Sequence, residues 1–224
     1  MIRLHHCPQS RSMRVLWLLN ELGVPFELVT HPFDKSLRNP DYLKLSPAGR
    51  VPALEIDGMA MFESGAITEY LCELYPEAGL GRLAGDQERA EWLTWVHFAE
   101  TVSQHVAALT QQHIMLYKDE MRSPIVMQIE AMRLAKCYAA IEAHLSGPGE
   151  PRDYLLSSGF SAADIGVGQA VYLGRYFAAI DEYPHVRAWH ERIIKRPGFE
   201  ASLPGADDPV IYKSDFYPAW EVQK

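Results

Sequence analysis

Two stretches of this chain carry side chains able to do chemistry. The first is Cys7-Pro8-Gln9-Ser10-Arg11-Ser12, where a thiol and two hydroxyls lie in a turn that leads into a helix. The partial positive charge of a helix N-terminus favours an anion and can depress a thiol's pKa. Cys7 therefore reads as a candidate nucleophile, and Ser10 and Ser12 as candidate donors to an anion. Each has a plain structural reading beside it: a helix cap for either serine, a small buried hydrophobe for the cysteine. The second stretch, Ser46 to Ser64, contains Arg50-Val51-Pro52 and Glu63-Ser64. Glu63 and Ser64 put a carboxylate and a hydroxyl beside another helix start, where a ligand with both an ammonium and a carboxylate group would find partners. A cis Val51-Pro52 bond would turn the Val51 backbone outward to pair with an extended peptide. Arg50 beside it could meet a carboxylate by charge-assisted hydrogen bonds. A trans proline, an ordinary Ser64 cap and a solvated Arg50 are the alternatives.

These residues are positioned by a regular succession of elements. Ile2 and Leu4 alternate with Arg3 and His5 as a first strand, and Arg11 to Leu22 is helical and ends at Gly23, a favourable C′ residue. Pro25 to Thr30 reads as a second strand, parallel to the first, and Asp41 to Leu45 as a short helix. Ala53 to Ile56 and Met59 to Phe62 flank Asp57-Gly58, a strong hairpin signal. Ser64 is the expected N-cap of a helix carrying Ile67, Tyr70, Leu71 and Leu74. The order is β-α-β-α-β-β-α over residues 1–76.

Residues 77–86, rich in glycine, read as a linker, and beyond them strand signals vanish. Trp92, Trp95, Ala99, Val102, Val106 and Leu109 step along one long helix. Ser123-Pro124 starts another, with Leu134, Tyr138, Ile141 and Leu145 on its face and a stop at Gly147-Pro148-Gly149. Ser161 with Asp164 forms a capping box before a helix apolar nearly all round, the expected core of a second domain. Tyr183 to Lys195 forms a further helix closed by Pro197-Gly198. The tail, with Tyr212, Phe216, Tyr217 and Trp220, is too aromatic to lie free in solvent. Residues 87–224 thus read as an all-α helical bundle with an aromatic tail.

The chain has 224 residues and a net charge of -8, with no basic stripe for a nucleic-acid partner. Neither a signal-peptide pattern nor a membrane-length apolar run is present. The odd, scattered Cys7, Cys72 and Cys137 give no disulfide framework or zinc spacing, so a reducing cytoplasm is the expected compartment. His97, His105 and His113 recur every eight residues and drift round the helix, which predicts surface or inter-domain positions and no metal site.

S-P-A-G-R-V-P-A-L followed by E-S-G-A-I resembles the glutathione-binding half of the cytosolic glutathione transferases, and the element order resembles their thioredoxin-like domain followed by an all-α domain. The resemblance implies that glutathione is the co-substrate, with Val51 and Pro52 presenting backbone to its cysteinyl residue and Glu63 and Ser64 holding its γ-glutamyl group. By position in the run M-R-V-L-W-L-L, Ser10 falls where theta- and delta-like members carry the serine that stabilises the thiolate. Cys7 falls where omega-like members carry a cysteine that forms a mixed disulfide, and Ser12 lies a step deeper. The implied activity is conjugation of glutathione to a small apolar electrophile, in a homodimer. A glutathione-dependent thiol-disulfide reductase acting through Cys7, or a non-catalytic binding module of the same fold, are the alternatives.

Overall fold

The structure is a computed structural model that describes residues 1–147, 149 and 151–219. Pro148, in the expected helix stop, and Trp220, in the aromatic tail, lie outside the described residues. The chain divides into two compact units. One comprises Met1–Trp92 with Ile194–Ile211; the other comprises Leu93–Ile193 with the described residues from Tyr212 onward.

In the first unit, β1 (Ile2–His6), α1 (Ser12–Leu22), β2 (Phe26–Thr30), α2 (Pro40–Leu45), β3 (Ala53–Ile56), β4 (Met59–Phe62) and α3 (Ser64–Leu74) follow in the expected order. The sheet order is β2-β1-β3-β4, and the two central strands are the first and third. β1 runs parallel to β2, with Leu4 opposite Leu28, and antiparallel to β3, with Leu4 opposite Leu54. A parallel neighbour needs a crossover, which α1 supplies. Gly23 ends α1 at φ 65°, a left-handed value a side chain would resist. Asp57 and Gly58, at φ 49° and 82°, give the doubly positive φ of a type I′ hairpin. The Val51-Pro52 bond is cis.

Two expected details differ. Ser64 does not cap α3: it is the first helical residue, and Glu63 stands at the cap position without a side-chain cap bond. Pro197-Gly198 does not close a helix but opens the short α8 (Pro197–Glu200), proline being well suited to a first helical position. α8 also leaves the helical portion of the chain and packs on α1. Phe199 meets Trp17 edge-on at 5.0 Å, and Arg196 grips both Glu21 oxygens at 2.8 and 2.7 Å.

The second unit holds most of α4 (Arg89–Thr110), together with α5 (Pro124–Leu145), α6 (Ala162–Gly174) and α7 (Pro184–Ile193). α4 runs into a π-helical turn, Gln111–Met115. Ser123 caps α5 by accepting from the Val126 N–H. α6 is the buried centre, and its capping box forms as read: Ser161 accepts from the helix while Asp164 accepts from the Ser161 N–H at 2.9 Å. Asp164 also takes the Leu155 N–H and the Trp189 indole N–H, each at 2.9 Å, so one buried carboxylate ties three segments together. The described tail folds back on this unit, with Tyr212 stacked on Tyr176 at 4.5 Å and the Tyr217 N–H bonded to the Tyr176 carbonyl. The three stepped histidines separate. His97 is exposed, whereas His105 is buried against Glu130 at 2.6 Å, correcting its expected surface or inter-domain position.

Candidate active site

The turn between β1 and α1 gathers Cys7, Ser10 and Ser12 as the sequence suggests, but gives them different surroundings. Cys7 has no exposed surface, and burial, with Asp34 adding to it, pushes its thiol up to about 12. Desolvation disfavours the thiolate more strongly than any nearby positive charge favours it. Ser12 is also fully buried. Its Oγ accepts from the Cys7 N–H at 3.0 Å and lies 2.8 Å from His6 Nδ1 and 2.8 Å from Ser10 Oγ. Ser10 alone of the three is partly exposed. Its hydroxyl donates to the Cys7 carbonyl at 2.8 Å and accepts from the Ser12 N–H at 3.2 Å. The first turn of α1 carries no acidic side chain, so its positive end keeps its attraction for an anion; at α3 the carboxylate of Glu63 stands at the cap position without a side-chain cap bond.

At the start of α3, Glu63 is exposed and adopts φ 74°, ψ 110°, outside the left-handed helical region where non-glycine residues with positive φ usually sit. Strained backbone of this kind concentrates at binding and catalytic sites. Ser64 beside it is buried, and its Oγ accepts from Arg14 Nη1 at 3.2 Å. Arg14 is itself only 2% exposed, so a guanidinium is held inside the unit at the N-terminus of α3. The preceding loop is tied down by the Tyr42 hydroxyl, which donates to the Arg50 carbonyl at 2.8 Å. The Arg50 side chain is exposed, and Val51 is half-buried. Among the described residues no backbone partner is present for the Val51 N–H or C=O.

Sequence reading missed three members of this site. Arg14 carried a signal, a charge inside an otherwise apolar helical run. His6 shares strand parity with Ile2 and Leu4 and therefore points inward. Burial pushes its imidazole down to about 4, leaving it neutral. Gln9 carried no such signal; it sits at φ 56° with its side-chain oxygen accepting from the Ile211 N–H at 2.7 Å.

Known proteins match along the chain. A family profile described as glutathione S-transferase, N-terminal domain, matches residues 4–79, and one described as glutathione S-transferase, C-terminal domain, matches residues 126–192. Glutathione S-transferase 3 of Zea mays is 30% identical over 217 residues, covering 90% of this chain and 93% of the maize protein. The chain belongs to the glutathione S-transferase family. A glutathione S-transferase 3 of Schizosaccharomyces pombe is 27% identical over 222 residues, covering 94% of this chain and 90% of the yeast one. Among solved structures, a sphingomonad glutathione S-transferase complexed with glutathione superposes with a TM-score of 0.74 at 27% identity, covering 90% of this chain and 96% of that one. The thioredoxin-like sheet and following helices of this glutathione S-transferase are therefore family architecture.

The second unit of this glutathione S-transferase has a cavity of about 530 Å³ whose lining includes His113, Asp119, Arg122, Met127, Phe216 and Tyr217. Small-molecule sites are typically of this size. Among the described residues no helix is long and apolar enough to cross a membrane, and no group of three or more His, Cys, Asp or Glu side chains is placed to hold a metal ion.

Proposed function

We propose that this glutathione S-transferase activates the glutathione thiol as a thiolate through Ser10 and conjugates it to a small apolar electrophile. Glu63 and Ser64 hold the γ-glutamyl group at the N-terminus of α3, with the Arg14 guanidinium adding positive charge. The Val51 backbone pairs with the cysteinyl residue, and Arg50 meets the glycyl carboxylate. The Ser10 hydroxyl donates a hydrogen bond to the sulfur and lowers its pKa, so the thiol proton leaves to solvent. The thiolate then bonds to the electrophilic carbon and displaces its leaving group.

The observation that carries this choice is the contrast within one turn. Ser10 is partly exposed, whereas Cys7 is sealed, with its thiol pushed up to about 12. That contrast disfavours a reductase working through Cys7, because the thiolate is the nucleophile. The strained Glu63 supports a ligand site at the start of α3. The cavity of the second unit, where Met127, Phe216 and Tyr217 lie beside Asp119 and Arg122, supports a small co-substrate with an apolar part. Residues 1–76 form the glutathione-binding domain in this reading, 77–86 the linker and 87–224 the helical domain, with α8 returning to the first. An exposed stripe on α5, Ile125, Ile129 and Met132, supports a homodimer, and the working compartment is the cytoplasm.

Ser10→Ala and Cys7→Ala, each assayed with a chlorinated aromatic electrophile and with a small disulfide, test the assignment. Loss of a hydrogen bond to a charged group costs about 1.5–3 kcal/mol, so Ser10→Ala should slow conjugation roughly ten- to hundredfold while Cys7→Ala does little. Full activity of Ser10→Ala in both assays would sink it.

A further inference from the structure

The Ser12 hydroxyl has one proton and two lone pairs, yet four groups surround it. They are the Cys7 N–H at 3.0 Å, the Cys7 carbonyl at 3.2 Å, His6 Nδ1 at 2.8 Å and Ser10 Oγ at 2.8 Å. The Cys7 N–H can only donate, so it takes one lone pair. The Ser10 proton already goes to the Cys7 carbonyl at 2.8 Å. With Ser10 committed there, the short Ser10–Ser12 contact is a hydrogen bond only if Ser12 donates. Ser12 then has no proton for His6, so the contact with His6 is a bond only if Nδ1 carries hydrogen. One arrangement satisfies all three short contacts: Nδ1–H to Ser12, Ser12 O–H to Ser10, and Ser10 O–H to the Cys7 carbonyl.

We propose that His6 is a positioning residue that fixes the direction of this hydrogen-bond chain, so that the Ser10 proton points at the glutathione thiolate. The inference rests on Ser10 as the thiol activator. When the sulfur arrives, the Ser10 O–H swings from the Cys7 carbonyl to the thiolate, and no other bond in the chain has to reverse. Its oxygen keeps the two donors it has from Ser12, the N–H at 3.2 Å and the hydroxyl. Each donor polarises the outgoing O–H, a cooperative strengthening of about 10–30% per bond. In the reversed chain Ser12 donates to His6 and Ser10 donates inward to Ser12. Facing the thiolate would then leave two hydroxyl oxygens in contact with no proton between them. His6 is 3% exposed, and its burial keeps the imidazole neutral at working pH, so the tautomer alone decides which way the chain runs.

The test compares the intact protein with His6→Asn, His6→Leu, Ser10→Ala and the His6→Leu/Ser10→Ala double variant. The readouts are the pKa of bound glutathione, followed by thiolate absorbance, and the conjugation rate. An asparagine amide nitrogen can stand where Nδ1 stood and still donate, whereas leucine cannot. His6→Leu should raise the bound thiol's pKa and slow conjugation about two- to tenfold, the worth of one neutral hydrogen bond. His6→Asn should restore both to near the wild-type values. In the Ser10→Ala background His6→Leu should have no further effect. Nitrogen NMR of the wild type should find the proton of the neutral His6 ring on Nδ1, a measurement that holds even where His6→Leu fails to fold. A bare Nδ1, an unmoved thiol pKa in folded His6→Leu, or an undiminished His6→Leu effect without Ser10 overturns the proposal. Ser10→Ala that leaves the thiol pKa unchanged while Nδ1 carries the proton instead overturns the assignment of Ser10.

Discussion

Replacing Glu63 by glycine should make the protein more stable and worse at its task. At φ 74° and ψ 110° Glu63 occupies backbone space that costs a side-chain-bearing residue about 1–3 kcal/mol. Its side chain is exposed and caps nothing, so deleting it removes little packing. Glycine adopts the same angles without penalty but adds about 0.4–1 kcal/mol of chain entropy to the unfolded state. The difference leaves a gain of roughly 0.5–2 kcal/mol. For a chain of this size that raises the melting temperature by about 1–8 °C. Glutathione affinity should fall roughly ten- to hundredfold, because a charge-assisted contact worth about 1.5–3 kcal/mol is lost. Melting without ligand and titration calorimetry with glutathione measure the two effects separately. Glu63→Ala completes the design, since it keeps the strained backbone and loses only the contact: its melting point should stay put while its affinity falls. A glycine variant that melts no higher than wild type refutes the strain argument, and unchanged affinity in both variants refutes the ligand contact.

Asp164→Ala should cost at least about 3 kcal/mol in urea denaturation, since it strands buried donors on Leu155, Ser161 and Trp189 at about 1–3 kcal/mol each. A loss no larger than the ~1 kcal/mol of a simple cap would show that its cross-links contribute nothing. His190 is fully buried, and burial pushes its imidazole down to about 3. It stays neutral when folded but titrates near 6.5 when unfolded, so its stability is whole above about pH 6.5 and is lost as the pH falls toward 3, by roughly 1.4 kcal/mol per pH unit. His190→Phe should therefore lose less stability than wild type between pH 6.5 and 4, and identical pH slopes would contradict neutral burial.

Where the signal is local, the sequence determined the outcome. The period-two strands, Asp57-Gly58, the glycine after α1 and the Ser161–Asp164 box each prescribe their own few residues, and each formed as written. The first domain's element order follows from them, and with it the placing of both helix starts that frame the site. Tertiary packing decided what adjacency cannot express. Cys7 and Ser10 are three residues apart in one turn, yet only packing sealed the thiol and left the hydroxyl partly open, so their chemistry diverged. Arg14 reaches Ser64 across fifty residues, a contact fixed by α1 lying against α3. The return of α8 to Trp17 and Glu21 is longer still and depends on complementary faces, which no spacing rule encodes. His6 shows the division most sharply: strand parity turned it inward, but only the fold brought Ser12 to its Nδ1.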